Sequence, residues 1–179
     1  LLRAAVCLET DAVLVVPGAV DNSIFSAEPE IVPYDAAYET AQAVLCEIAA
    51  MLDAYPGVYL AVENVWNKFL LSPKEMREFI DAVDSPWVGC YLDTANMMAY
   101  GYETQWIREL GPRIRRVHFK DFRRREHRFV PLLEGDTDWP GVVGLLREIG
   151  YDGFVIHEVG GEYELQLEMA ARMRRILGR

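Results

Sequence analysis

Short, dense apolar runs alternate along the chain with longer stretches in which apolar residues recur every three or four positions. The first run, AVLVVPG at 12–18, is rich in β-branched residues and is halted by Pro17 and Gly18, which predicts a strand. The next stretch, YDAAYETAQAVLCEIAAMLDAY at 34–55, sets Ala37, Ala41, Val44, Leu45, Ile48 and Leu52 on one helical face. VYLAVEN at 58–64 predicts a second strand. SPKEMREFIDAV at 72–83 then opens with Ser72 and Glu75 in capping-box spacing and Pro73 at the first helical position. Its stripe is Met76, Phe79, Ile80 and Val83.

The alternation continues to the last residues. WVGCYLDT at 87–94 predicts a strand and ETQWIREL at 103–110 a short helix stopped by Gly111. IRRVHFKD at 114–121 is the fourth strand, and a charged loop separates it from the helix WPGVVGLLREI at 139–149, which Asp138 can cap and Gly150 can end. GFVIHEV at 153–159 is the fifth strand and YELQLEMAARMRRIL at 163–177 the closing helix.

Strict β/α alternation predicts a parallel sheet with crossover helices, in the α/β class. An open nucleotide-binding sheet should carry a glycine-rich phosphate turn, and neither GxGxxG nor GxxxxGK[ST] occurs. The remaining architecture is the parallel (β/α)8 TIM barrel, of which this chain supplies about the last five βα units. LLRAAVC has no initiator Met and reads as a helix tail entering the first strand, so the sequence is expected to begin inside a domain. No low-complexity linker or charge block interrupts residues 1–179, which are read as one domain, the C-terminal portion of the barrel. A first strand without a neighbour would expose its flank and favour a homo-oligomer through pairing with a second copy.

Composition narrows the partners. The 179 residues are 51% hydrophobic with mean hydropathy +0.01, enough for a sizeable core. A formal charge of −10 and a pI near 4.8 disfavour nucleic acid and anionic membrane and favour a small or metal-bound ligand. Cys7, Cys46 and Cys90 show no CxxC spacing and are expected to be reduced thiols, and no apolar run has the length of a membrane span. A soluble, cytoplasmic protein is expected.

Candidate chemistry lies where the strands end. Glu63, Asp93, His118 and Glu158 each finish or follow a strand, at separations of 30, 25 and 40 residues. A βα unit runs to roughly 30 residues, so four consecutive units would bring these groups to one rim of a parallel barrel. Three carboxylates and an imidazole suit a hard-to-borderline divalent metal, Mn²⁺, Mg²⁺, Co²⁺ or Zn²⁺. Asp93 alone could be a helix cap. A glutamate ending VYLAVE or FVIHE, by contrast, enters an apolar setting that demands a partner. His157 adjoins Glu158 and by strand alternation faces the opposite way.

VYLAVENVWN, GCYLDTAN, RIRRVHFKD and LLEGDTDWPGVVGLLREIGYDGFVIHEV together resemble the C-terminal five-eighths of the xylose-isomerase-like TIM barrels, in the sugar phosphate isomerase/epimerase group. That resemblance assigns a divalent metal, Mn²⁺ foremost, to Glu63, Asp93, His118 and Glu158. It makes Glu63 and Glu158 the catalytic acid/base pair as well. Many free-ketose 3-epimerases of the family carry histidine where this chain has Asn96. The Asp-x-x-Asn form, with His-x-Lys-Asp at 118–121 and Glu-Gly-Asp at 134–136, is more similar to the pentulose-5-phosphate 3-epimerases and hexulose-phosphate isomerases.

The implied activity is epimerisation or isomerisation of a sugar or sugar phosphate. A base removes the proton beside a ketose carbonyl to give an enediolate, and a second carboxyl returns it from the other face. Asn64, Trp66, Asn96 and Lys120 follow strand ends and are candidates for substrate hydroxyls, while Trp66 could equally staple a loop to a helix. Lys120 could instead pair with Asp121. Arg124, within the FRRREHR run that also holds Arg123, Arg125 and Arg128, is a candidate phosphate contact against the alternative of a solvated loop. A keto-inositol-type dehydratase and a catalytically inactive metal- or sugar-binding module are the competing readings. A zinc endonuclease of related fold would need more than His118, His127 and His157.

Overall fold

The computed structural model describes residues 1–24 and 26–179. Among these, seven strands form: β1 (Ala12–Val15), β2 (Tyr59–Val62), β3 (Val88–Asp93), β4 (Ile114–Phe119), β5 (Asp121–Arg123), β6 (Arg128–Val130) and β7 (Val155–His157). The helices are α1 (Leu2–Cys7), α2 (Tyr34–Ala49), α3 (Pro73–Asp81), α4 (Glu103–Leu110), α5 (Trp139–Glu148) and α6 (Tyr163–Leu177). One sheet holds five strands in the order β1-β2-β3-β4-β7, every neighbouring pair parallel. It is a half-barrel, with β1 and β7 as its edges.

Alternation along the strands separates the two faces of this sheet. Leu60 and Val62, Cys90 and Leu92, and Val117 and Phe119 join the main apolar cluster with Leu45, Met76, Phe79, Ile107, Leu110, Val142 and Leu146 of the helices. The residues between them, ending in Glu63, Asp93 and His118, therefore point to the concave side. Burial of the convex side supplies the stability that allows the concave rim to be polar.

The predicted helix starts are made by the expected groups. Ser72 Oγ accepts from Glu75 N at 3.2 Å, and Asp138 Oδ1 accepts from Gly141 N at 3.0 Å. A Cβ on residue 141 would lie 2.2 Å from Asp138 Oδ2, so the cap requires glycine there. Gly111 ends α4 with φ +51°, a conformation that glycine adopts readily.

Most strands and helices are a few residues shorter than the sequence predicts, and three differences bear on the site. The helix expected over 34–55 ends at Ala49, followed by a 3-10 turn at Leu52–Ala54 that still buries Leu52; Pro56 disfavours helical backbone at Tyr55. The strand expected over 114–121 stops at Phe119. Beyond it, the loop read as charged and irregular is the antiparallel hairpin β5–β6, with Asp121 opposite Val130 and Phe122 opposite Phe129. Its run of charges hides the alternation, because Phe122 and Val130 are buried while Arg125 and Arg128 between them are exposed. Finally, Glu158 lies one residue beyond β7, although its N–H still bonds Phe119 O at 3.1 Å. No helix is long and apolar enough to cross a membrane among the described residues.

Candidate metal centre

The parallel register carries the four predicted groups to one end of the sheet. Asp93 pairs with His118 across β3 and β4, and Glu63 N extends the β2 ladder by bonding Val15 O at 3.0 Å. Thr94, buried and unmarked by any motif, fixes the β3–β4 end by donating from Oγ1 to Lys120 O at 2.7 Å and accepting from Lys120 N at 3.0 Å. One ligand atom from each of Glu63, Asp93, His118 and Glu158 then lies within 4.8 Å of all the others.

These groups sit in unequal surroundings. Asp93 is fully buried; its Oδ1 accepts from Ala95 N at 2.8 Å and Asn96 N at 2.7 Å, whereas its buried Oδ2 has no donor. The Asp93 side chain thus caps the turn after β3, as its position suggested, and still offers one oxygen to the centre. Glu63 is buried and its Oε1 lies 3.0 Å from His118 Nδ1. Glu158 is the half-exposed member, held at 2.7 Å by Lys120 Nζ and 3.9 Å from His118 Nδ1.

Proton affinities follow from that crowding. Burial raises the Asp93 carboxyl from 3.8 to about 7, with Lys120 pulling it down and Glu63 pushing it up. Burial works against a charged His118, but its hydrogen bond to Glu63 and the charges of Glu63, Asp93 and Glu158 outweigh it and move the imidazole upward. Glu158 moves the other way: desolvation is overcome by the hydrogen bond and charge of Lys120, with the charge of His118 adding to it. Tyr91, whose ring centroid is 4.2 Å from that of His118, is pushed up to about 12 by burial and by Glu63.

A divalent cation fits this donor set. Three carboxylates and one imidazole converge, and a buried Asp93 oxygen has no hydrogen-bond donor.

The other predicted contacts divide into two groups. Asn64, Asn96, Lys120 and Trp66 are linked beside the centre: Asn96 Nδ2 donates to Asn64 O at 3.1 Å, Lys120 Nζ lies 3.4 Å from Asn96 Oδ1, and Trp66 Nε1 donates to Asn96 O at 3.0 Å. The Trp66 indole stacks on Phe129 at 4.6 Å and on His127 at 5.1 Å, so it pins the β5–β6 hairpin over this end of the sheet. Arg124 points elsewhere. Its guanidinium donates to Met98 O and Gly101 O, each at 2.7 Å, and to buried Glu103 at 3.2 Å, while Glu103 Oε1 accepts from Asp138 N at 2.9 Å. Arg123 and Arg128 likewise have partners in Glu126.

The suggested Lys120–Asp121 pair is corrected, because Asp121 faces away from Lys120. Its fully buried carboxylate accepts from Phe122 N, Gly135 N, Thr137 N, Thr137 Oγ1 and Trp139 Nε1 at 2.7–3.3 Å. It thereby ties the 134–139 segment to the hairpin. Sequence reading missed this anchor and the Arg124–Glu103 bracket; the signal for the first was Gly135, whose added Cβ would lie 2.1 Å from Asp121 Oδ1.

A parallel half-barrel with a carboxylate-and-imidazole rim defines a recognisable class. The family model for the xylose isomerase-like TIM barrel matches residues 1–176, and the chain belongs to that family. A protein of Escherichia coli (strain K12), provisionally named L-ribulose-5-phosphate 3-epimerase SgbU, is 30% identical over 112 residues, covering 59% of this chain and 39% of that protein. The crystal structure of a D-tagatose 3-epimerase-like protein superposes with TM-score 0.80 at 22% identity, over 99% of this chain and 66% of the other. The IOLI protein with a bound zinc atom also gives TM-score 0.80, at 18% identity over 99% of this chain and 66% of the other. At such identities the two structures speak for the fold. The chain spans less than half the length of the curated epimerase it matches.

Proposed function

We propose that this chain carries the metal centre and the acid/base pair of a divalent-metal-dependent isomerase or epimerase acting on a sugar or sugar phosphate. The observation that carries this reading is the convergence of two glutamates, Glu63 and Glu158, with Asp93 and His118, each offering an atom within 4.8 Å of the others. Kinship with a provisionally named L-ribulose-5-phosphate 3-epimerase supports a pentulose 5-phosphate as the first substrate to test.

Glu63, Asp93, His118 and Glu158 would hold the metal, with Mn²⁺ the first candidate. When bound, it supplies positive charge that makes the carbon beside a ketose carbonyl more acidic. One glutamate takes the proton from that carbon as the C–H electron pair moves into the carbonyl to form an enediolate. Proton return from the opposite face by the other glutamate completes epimerisation. Asp93 and His118 then serve as ligands only. Asn96 and Lys120 lie beside Glu158, where they can orient substrate oxygens, and Asn64 and Trp66 shape the same edge through their bonds to the Asn96 segment.

The test is wash-in of deuterium from D₂O into L-ribulose 5-phosphate and related pentulose phosphates. Protein is stripped with EDTA and reloaded with Mn²⁺, with Glu63→Gln and Glu158→Gln beside the wild type. Metal-dependent exchange at carbon that falls at least about 10³-fold in either variant is expected. Loss of water from a keto-inositol without exchange into the sugars would assign the dehydratase reading instead, and exchange that survives both substitutions would refute the assignment of the pair.

A further inference from the structure

The centre already holds a cation of its own. Lys120 Nζ lies 2.7 Å from Glu158 Oε2 and 3.4 Å from Asn96 Oδ1, with the face of Phe129 at 4.3 Å from the ammonium to the ring centroid. Lys120 is mostly buried, and its backbone is clamped at both N–H and C=O by Thr94 Oγ1. The stem is therefore anchored while the ammonium is free to choose among a carboxylate, an amide oxygen and an aromatic face. Glu158 is the same carboxylate that would complete the metal site.

We propose that Lys120 is an internal competitor for the divalent cation: its ammonium neutralises Glu158 in the metal-free protein and is displaced from that carboxylate when metal binds. This rests on the four-ligand reading. Three carboxylates within a few ångströms repel one another unless a cation sits among them, and the ammonium meets that need in the absence of metal. A dipositive ion placed at the same oxygens repels the ammonium in turn. Phe129 gives the displaced group somewhere to go, since the face of an aromatic ring attracts a cation even when its anion has been taken. The Lys120–Glu158 contact thus lowers metal affinity, and metal occupancy reaches the hairpin through Phe129.

The experiment is calorimetric titration of the EDTA-stripped protein with Mn²⁺, comparing wild type, Lys120→Met and Lys120→Arg, each checked for fold by circular dichroism. Lys120→Met keeps the length of the side chain and removes the charge, and it is expected to bind Mn²⁺ about tenfold more tightly, the effect of one partly screened charge contact. Lys120→Arg keeps the charge and should stay close to wild type. In wild-type protein, Mn²⁺ should also raise acetylation of Lys120 by acetic anhydride severalfold, read by peptide mass spectrometry. Unchanged or weaker binding by a folded Lys120→Met, or labelling of Lys120 indifferent to metal, overturns the competition. Failure of the wild type to bind Mn²⁺ at all overturns the metal reading and this proposal with it, whereas binding without the gain overturns this proposal alone.

Discussion

Asp93→Asn should make the metal-free protein more stable while abolishing metal binding. At about 1.36 kcal/mol per pKa unit, lifting the buried carboxyl from 3.8 to about 7 means that holding it ionised costs the fold about 4 kcal/mol. Asparagine keeps an oxygen for Ala95 N and Asn96 N and replaces the donorless Oδ2 with an NH₂ that can donate to neighbouring carboxylates.

The sign with pH follows. A carboxyl whose folded pKa is raised binds its proton more tightly in the native state, so its contribution weakens stability as pH rises from about 4 through about 7. His118, also raised, acts in the same sense: its stabilisation is present below 6.5 and is lost as pH climbs through the folded value. Glu158, lowered, contributes stability that is present above 4.5 and fails only in more acid solution. In EDTA, urea denaturation should therefore show wild type losing stability between pH 5 and 8.5. Asp93→Asn should exceed it by about 2–4 kcal/mol at pH 8.5 and by much less at pH 5. With Mn²⁺ at about 100 times its Kd the wild type should gain about 2.7 kcal/mol and the variant none. A variant less stable than wild type at pH 8.5 in EDTA, or a difference independent of pH, would refute the account of Asp93.

Two further substitutions probe the supports of the site. Gly135→Ala should cost about 3 kcal/mol in urea denaturation, because the new methyl displaces the Asp121 carboxylate from several buried donors; with Asp121→Ala already present the cost should fall but not vanish, since the same methyl also meets Phe122 N at 2.7 Å. Arg124→Met should cost about 3 kcal/mol by stranding the buried charge of Glu103 and releasing Met98 O and Gly101 O. Arg124→Lys should fail to restore most of it, since one ammonium cannot reproduce a fork spanning three acceptors; full rescue by lysine would show that charge alone is at work.

What was legible in the sequence is whatever depends on neighbours along the chain. Alternation of short apolar runs with helical stripes predicted the β/α order, and capping chemistry predicted helix starts at Ser72 and Asp138. The spacing of βα units then implied a common rim for Glu63, Asp93, His118 and Glu158, because parallel strands of one sheet have all their C-terminal ends on one side. Tertiary structure decided what depends on contacts between distant segments. The FRRREHR run has no local signal of a hairpin; its fold comes from Phe122 and Val130 finding burial and from Trp66 stacking on Phe129. Arg124 turns to Glu103 because a buried carboxylate needs a cation, and Lys120 turns to half-exposed Glu158, where carboxylates crowd, leaving Asp121 to five donors from the hairpin and the 134–139 segment. Periodicity tells which way a side chain points, but its partner is set by which charges and donors the folded chain leaves unmatched nearby.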